Sequence, residues 1–272
     1  MAVHELRALQ FAGTPCVLLD CGFDLADPAA GERAHAVGHL AGARYVHLDR
    51  DLAGAKTGFN GRHPLPALTD FAARAGGWGI EATTQVVCYD DQGGVYAARA
   101  WWLLRWLGHT HAAVLDGGRA AWVKAGGTLH TDKTAVHTQP PYPASTPAMP
   151  TVDASALQRQ LGVALLLDAR APERFRGDVE MLDPVAGHIP GASNRPFKLN
   201  LAADGCFKPA AQLRDEFQQL GNAAEVVHQC GSGVTACHNL LAMTHAGLPA
   251  GALYPGSWSE WCSDPARPIA RG

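Results

Sequence analysis

VLLD at residues 17–20 and LLLD at residues 165–168 share one pattern, an apolar run that ends in an aspartate. GHLAGA at residues 38–43 and GHIPGA at residues 187–192 follow these runs in the same order and form a second repeated pattern. Repetition of several patterns in one order is the signature of a duplicated unit. The sequence therefore predicts two copies of one domain.

The second half of each copy repeats as well. QVVCYD at residues 85–90 matches EVVHQC at residues 225–230, and LDGGRAAW at residues 115–122 matches YPGSWSEW at residues 254–261. Short apolar runs are followed by stretches with helical periodicity, such as residues 234–246. Short buried strands that alternate with helices are typical of a parallel sheet covered by helices on both faces. We expect an α/β protein with two tandem domains of this kind.

Composition indicates where one copy ends and the next begins. Residues 131–151 are rich in proline, threonine and alanine, a composition that disfavours a helix and is typical of an extended linker. We therefore expect a first domain at residues 1–130 and a second at residues 152–272. A chain of 272 residues is long enough for two domains of this size.

The overall composition limits the kinds of partner. An apolar share of 47% and a charged share of 17% are typical of a globular protein. A net charge of −3 without a run of basic residues argues against nucleic acid or an anionic membrane as a partner. Residues 1–20 lack the pattern of a secretory signal, and no apolar segment has the roughly 18–20 residues of a membrane helix. The seven cysteines are scattered without paired zinc spacing, so we expect reduced thiols in a cytoplasmic protein without a metal or another cofactor.

The segment HQCGSGVTAC at residues 228–237 joins a predicted strand to a predicted helix. In parallel α/β sheets, ligands bind beyond the carboxyl ends of the strands, which is where Cys230 lies. Gly231 and Gly233 allow the backbone to curl so that successive N–H groups point inward, and the helix that begins near Val234 adds its positive end. Such donors stabilise a thiolate, the nucleophilic form of cysteine. The alternative is a small buried cysteine in a simple turn, but a Gly-Ser-Gly sequence directly before a helix start favours the nucleophile.

CGSGVTAC at residues 230–237 resembles the active-site loop of 3-mercaptopyruvate sulfurtransferases, in the tandem-domain branch of the rhodanese superfamily. RFRG at residues 174–177 and GSWSEW at residues 256–261 resemble the same family, and the resemblance covers nearly the whole chain. It implies two rhodanese-like domains and a sulfurtransferase that carries sulfur as a persulfide on Cys230. The implied sulfur donor is 3-mercaptopyruvate, and the implied acceptor is cyanide, a thiol or thioredoxin.

The first copy supports this interpretation. Asp90 stands where the second copy has Cys230, and a carboxylate cannot accept a sulfane sulfur. The resemblance implies the same division of labour, with a catalytically silent N-terminal domain and a catalytic C-terminal domain.

The resemblance also implies a set of substrate-binding residues. Arg174 would hold the donor carboxylate through two parallel hydrogen bonds. The loop would supply a cradle for the sulfur from Gly231, Gly233, Val234 and Thr235. Family members often carry a second substrate arginine, which residues 178–184 lack here. Arg195 is the candidate to replace it, with a structural role as the alternative.

The family further uses a Ser–His–Asp relay that moves a proton to or from the donor thiol. Carried over by motif, the serine is Ser232, the histidine is His63 in GRHPLP, and the aspartate is Asp49 in VHLD. Because His63 and Asp49 lie in the first copy, the relay requires contact between the domains. For His63, a structural role in a proline-rich loop is the alternative.

Three other functions stay open at this point. A thiosulfate sulfurtransferase would share the nucleophile, but its thiosulfate-preferring members carry basic residues after the cysteine, where Gly231 and Ser232 are neutral here. A cysteine phosphatase would need an arginine six residues after the cysteine, at the position of Ala236. A non-catalytic binding module fits the first copy better than the intact Cys230 loop of the second.

Overall fold

The structure, a computed structural model, describes residues 1–135, 137–144, 146–221 and 225–272. Two units make up the chain. The first comprises Met1–Ala53, Pro66–Met149 and Asp204–Cys206. The second comprises Gly54–Leu65, Pro150–Ala203 and Phe207–Gly272.

The first unit contains, in the described part of the chain, a four-stranded parallel sheet with the strand order β2-β1-β3-β4. Its strands are β1 (Cys16–Asp20), β2 (Ala43–Tyr45), β3 (Gln85–Tyr89) and β4 (Ala112–Val114). Its helices are α1 (Val3–Phe11), α2 (Ala30–Val37), α3 (Leu48–Asp51), α4 (Leu68–Gly77), α5 (Val95–Trp106) and α6 (Gly118–Lys124).

The second unit repeats this arrangement. Among its described residues, four parallel strands form a sheet with the order β6-β5-β7-β8. The strands are β5 (Leu165–Asp168), β6 (Ser193–Asn194), β7 (Val226–Gln229) and β8 (Ala252–Leu253). The helices are α7 (Ala154–Arg159), α8 (Pro172–Arg176), α9 (Ala210–Gln218), α10 (Thr235–His245) and α11 (Ser257–Trp261), with a 3₁₀ helix at Phe197–Asn200. The predicted duplication of a parallel α/β domain is thereby confirmed.

Side chains of the central strands point alternately to the two faces of the sheet, which explains why helices cover both faces. Leu166 of β5 packs in one apolar cluster with residues of α7 and α11. The next residue, Leu167, packs in a second cluster with residues of α9 and α10. Successive strand residues point to opposite faces of a sheet, so an uninterrupted apolar run needs a helix layer on each side.

The helices of both units are short. The 12-residue helix α5 is buried along almost its whole length, including Trp102, which is fully buried. A helix that is apolar all round belongs inside a core. In the described residues, no helix has both the length and the apolar character needed to cross a membrane.

The proline-rich segment from residue 131 to Met149 is part of the first unit. Its described residues form no helix or strand, but the backbone N–H of Tyr142 donates to Ala72 at 2.9 Å and that of Ala148 donates to Trp106 at 2.8 Å. The segment that we expected as a linker therefore lies along the first unit for most of its length. The reason is that its backbone groups find hydrogen-bond partners there.

Residues Gly54–Leu65 belong to the second unit, although they precede β3 in the chain. The backbone N–H of Arg62 donates to Oγ of Ser259 at 3.0 Å, which ties this segment to α11. His63 therefore lies in the second unit. The segment thus belongs to the first repeat by its order in the sequence and to the second unit by its tertiary contacts.

The strand-to-helix loop of the first unit is closed by its own aspartate. Asp90 is 2% exposed, and its carboxylate accepts hydrogen bonds from the backbone N–H groups of Gln92, Gly94, Tyr96 and Ala97 at 2.8–2.9 Å. The carboxylate thus occupies the inward-pointing donors that open a helix and that favour an anion.

We expect Asp90→Asn to lower the free energy of unfolding by about 1–3 kcal/mol, because an amide replaces one of two acceptor oxygens with a donor that faces buried N–H groups. Urea unfolding followed by circular dichroism measures this change. The exposed Asp70→Asn serves as the matched control and should be close to neutral. Equal stability of the Asp90→Asn protein and the parent would show that the four hydrogen bonds do not hold the loop.

Candidate active site

The loop after β7 carries Cys230 at the carboxyl edge of the second sheet. β7 ends at Gln229, which pairs with Asp168 of β5, and Cys230 follows directly. Cys230 is 2% exposed, and its carbonyl oxygen accepts a hydrogen bond from the backbone N–H of Trp258 at 3.0 Å. The cysteine is therefore held against the first turn of α11 at the edge where ligands bind in parallel sheets.

The turn between the cysteine and α10 requires a glycine at Gly233. Its φ is +76°, and a Cβ at this position would lie 2.4 Å from the carbonyl oxygen of Pro255. Only glycine satisfies both the left-handed backbone and this close approach. Val234 is the N-cap residue of α10 and Thr235 is its first helical residue. The predicted cradle, which also includes Gly231, thus lies at the positive end of α10.

Ser257 contacts the backbone of the cysteine from α11. Its Oγ accepts a hydrogen bond from the backbone N–H of Cys230 at 3.1 Å and donates one to the carbonyl oxygen of Tyr254 at 2.9 Å. Ser257 has a φ of 54°, and no other non-glycine residue of the described chain has a positive φ. A serine in the left-handed region is strained, and such strain occurs preferentially at functional sites.

The first copy has a glycine where the second has Ser257. Gly118 has a φ of +57°, and a Cβ there would lie 1.9 Å from the carbonyl oxygen of Asp90. The second unit keeps the same backbone conformation and adds a hydroxyl that reaches Cys230. The difference between GG at residues 117–118 and GS at residues 256–257 was visible in the sequence repeat and would have identified this residue.

Two members of the predicted relay lie together in the second unit. Nδ1 of His63 is 2.7 Å from Oγ of Ser232, and the two residues are 4% and 6% exposed. Asp49 lies in α3, which belongs to the first unit. The Ser–His half of the relay therefore brings together a residue of the first repeat and a residue of the second repeat within one compact unit.

Burial keeps a nearby histidine out of the acid–base chemistry. His228 is fully buried on β7, and this burial lowers its pKa to about 4. Its Nε2 lies 2.9 Å from the carbonyl oxygen of Ala250. His228 is therefore neutral near pH 7, and its contact with Ala250 fits a structural role.

Arg174 is held by the segment that follows α8. Its Nε and Nη2 donate to the carboxylate of Glu180 at 2.8–3.2 Å, and Nη2 also donates to Asp183 at 3.3 Å. Burial opposes ionisation of Glu180, but hydrogen bonds from the backbone of Leu182 and from Arg174 lower its pKa below the usual range. The guanidinium is thus oriented by an ionised carboxylate.

A second guanidinium lies beside the loop. A Cβ placed on Gly231 would be 2.8 Å from Nη2 of Arg62 and 3.4 Å from Nη1 of Arg174. Arg62 also forms an ion pair with Asp183. Sequence reasoning missed Arg62, although it directly precedes His63 in GRHPLP.

Arg195 is engaged elsewhere in the unit. Its Nη2 donates to Glu216 at 2.7 Å and to Asn200 at 3.2 Å, and its guanidinium lies over the ring of Phe217 at 4.9 Å. These contacts favour the structural role that was the alternative for Arg195. The ion pair with Glu216, a partly exposed residue of α9, holds the guanidinium there.

Comparison with known proteins assigns the family. The sequence model of the rhodanese-like domain matches residues 2–125 and again residues 152–264. The chain belongs to the rhodanese-like family.

The relatives of this rhodanese-like protein are sulfurtransferases over nearly its whole length. A Pseudomonas aeruginosa protein named as a probable 3-mercaptopyruvate sulfurtransferase is 48% identical over 94% of this chain and 92% of its own. A Mycobacterium tuberculosis protein named provisionally as a thiosulfate sulfurtransferase is 41% identical over 98% of this chain and 95% of its own. The solved structure of 3-mercaptopyruvate sulfurtransferase from Leishmania major matches with a TM-score of 0.82 and 29% identity, over 94% of this chain and 72% of that one. The rhodanese-like chain is an enzyme of the sulfurtransferase class.

Removal of the Ser257 hydroxyl tests its contact with the nucleophile. Ser257→Ala leaves the N–H of Cys230 without this acceptor, so we expect the free energy of unfolding to fall by about 1–3 kcal/mol and sulfur transfer to slow. Ser257→Gly should slow transfer as much but destabilise less, because glycine adopts the positive φ without strain. Urea unfolding and the turnover rate are the two measurements.

Ser263→Ala is the matched control, since Oγ of Ser263 donates to the backbone of Glu260 at the far end of α11. Wild-type turnover by both Ser257 variants would exclude a role for this hydroxyl at the nucleophile.

Proposed function

We propose that this rhodanese-like sulfurtransferase takes sulfur from 3-mercaptopyruvate onto Cys230 as a persulfide and passes it to a thiophilic acceptor. The observation that carries the proposal is the position of Cys230. It directly follows a central parallel strand in the turn that leads to α10, and the hydrogen-bonded pair of Ser232 and His63 lies in the same unit. A thiol in such a turn is suited to nucleophilic catalysis.

The reaction has two steps. In the first, the Cys230 thiolate attacks the donor sulfur, the carbon–sulfur bond of the donor breaks, and the electron pair leaves on carbon as the enolate of pyruvate, which then takes up a proton. The hydroxyl of Ser232, paired with His63, moves a proton to or from the donor thiol. In the second step, the acceptor thiolate or cyanide attacks the outer sulfur and the Cys230 thiolate leaves.

The donor is a carboxylate that Arg174 binds. Glu180 fixes two nitrogens of this guanidinium, and Nη1 is directed to the loop at Gly231. The N–H groups of the turn between Cys230 and Thr235 and the start of α10 stabilise the negative charge on sulfur. Thiosulfate is the second candidate donor, supported by the name of the mycobacterial relative. The neutral turn favours the monocarboxylate over a dianion.

The proposed function also includes roles for Asp49 and the first domain, an acceptor and a cellular location. Asp49 stays the predicted third member of the relay. The first domain is catalytically silent because Asp90 takes the place of the nucleophile. The acceptor is cyanide, a small thiol or thioredoxin. We place the protein in the cytoplasm, which fits seven cysteines that are all free thiols.

Treatment with 3-mercaptopyruvate in the absence of acceptor should raise the intact mass by about 32 Da, one sulfur atom on Cys230, because the thiolate is the attacking group. Cys230→Ser should abolish both the mass gain and turnover. Cys206→Ser, which removes a partly exposed thiol of the first unit, should leave both intact. Sulfur transfer by the Cys230→Ser protein would contradict the proposal.

The Ser232–His63 pair should act as one unit. Ser232→Ala and His63→Ala should each slow turnover with 3-mercaptopyruvate, and the double variant should be little slower than the slower single variant, because both remove the same proton path. Turnover with thiosulfate, which carries no thiol proton, should change much less. Multiplicative losses would indicate two independent contacts, and equal losses with both donors would indicate a packing defect.

A further inference from the structure

Two arginines lie over the residue that follows the nucleophile. A Cβ on Gly231 would be 2.8 Å from Nη2 of Arg62 and 3.4 Å from Nη1 of Arg174. The two guanidiniums come from separate segments, the loop before His63 and the helix α8, and both segments belong to the second unit. Their convergence at Gly231 places two planar guanidiniums beside the residue that follows Cys230.

One carboxylate bridges the two arginines. Asp183 accepts from Nη1 of Arg62 through Oδ1 and from Nη2 of Arg174 at 3.3 Å through Oδ2. The Asp183 side chain is 3% exposed, whereas those of Arg62 and Arg174 are 26% and 21% exposed. The arginines therefore retain access to solvent while the carboxylate lies beneath. A bound monocarboxylate would make the same contacts, with one of its oxygens accepting from each guanidinium.

Glu180 and Asp183, the two acidic residues that pair with Arg174, differ in the donors that stabilise their carboxylates. Glu180 accepts from Arg174 and from the backbone N–H groups of Leu182 and Asp183 at 2.9 and 3.1 Å, and these bonds secure it within its own turn. Burial raises the pKa of Asp183, and the attraction of Arg62 opposes that rise. The ionised Asp183 carboxylate thus depends on the arginines for its stability, and Glu180 depends also on backbone donors.

The segment that carries Asp183 lies on the surface. It forms no helix or strand between α8 and β6, and Met181 is 86% exposed beside it. Asp183 can therefore leave the arginines without breaking a helix or strand hydrogen bond.

We propose that Arg62 and Arg174 together form a carboxylate-binding site for a short 2-oxo monocarboxylate, and that Asp183 occupies this site until the ligand replaces it. The identity of the ligand as a sulfur donor rests on the proposed function. The anion site itself rests on the two guanidiniums. The exchange replaces one carboxylate by another, so the charge between the arginines is unchanged. Arg62 also adjoins His63, so one short loop positions the ligand carboxylate and the Ser232 partner.

Pyruvate is the probe, because it carries the carboxylate and the 2-oxo group without a transferable sulfur. Its affinity for the full-length protein is measured by isothermal titration calorimetry. Arg62→Lys retains the charge but loses the planar fork, so we expect about tenfold weaker binding. Asp183→Asn should bind pyruvate several-fold more tightly, because a neutral amide no longer competes for the arginines.

Control variants come from the same segment. Arg176 and Asp178 form an exposed ion pair, with side chains 48% and 54% exposed, next to α8. Arg176→Lys and Asp178→Asn should leave pyruvate binding unchanged. Gly231→Ala provides a further test that does not alter a charge, since its Cβ would displace the Arg62 guanidinium and should weaken binding.

A decrease in pyruvate affinity on Asp183→Asn substitution would overturn the proposal. If a folded Asp183→Asn protein binds pyruvate more weakly than the parent, Asp183 braces the arginines and is not replaced by the ligand. Unchanged binding by both Arg62→Lys and Gly231→Ala would remove Arg62 from the site. These outcomes are independent of the mass gain on Cys230, so failure of the anion site and failure of the persulfide chemistry are distinguishable.

Discussion

The contact between the Cys230 loop and the backbone of residues 254–259 is the constraint on which the site depends. Gly233 passes so close to Pro255 that a side chain cannot be accommodated, and the peptide groups of Cys230 are bonded to Ser257 and Trp258. The loop is therefore fixed from outside by the backbone of residues 254–259 and by the hydroxyl of Ser257. Preorganised donors of this kind require no rearrangement during the reaction.

The two copies show how one loop geometry yields opposite outcomes. In the first unit, Asp90 is part of the loop itself and its carboxylate permanently fills the backbone donors. In the second unit, Cys230 takes that position, and Asp183, the carboxylate that pairs with Arg62 and Arg174, comes from a separate surface segment. A carboxylate within the loop cannot leave without unfolding it, whereas one on a separate segment can be exchanged.

The segment 54–65 gives the second unit what its own sequence lacks. It contributes His63 beside Ser232 and Arg62 beside Gly231, and it is tied to α11 through Ser259. The catalytic unit is thus completed by a loop that the chain passes through before β3. Loops on a rigid sheet supply functional side chains in many α/β proteins, and here the contributing loop is donated by the other repeat.

The sequence by itself determined the duplication, the parallel sheets and the position of Cys230 after a central strand. Each of these features depends on residues that are contiguous in the sequence. An apolar run of strand length, a Gly-Ser-Gly turn and a helix start can be recognised without knowledge of the tertiary structure. The same reasoning identified Ser232 and His63, because their motifs are short and contiguous.

Only the tertiary structure decided which unit holds His63, how Arg62 and Arg174 converge and where Arg195 binds. These facts depend on pairs such as Arg195 with Glu216 and Arg62 with Asp183, which lie far apart in sequence. An arginine looks the same in a sequence whether a buried carboxylate holds it or a ligand replaces that carboxylate. The role of an arginine depends on which group the tertiary packing places beside it, and neither hydrophobic periodicity nor motif spacing predicts that group.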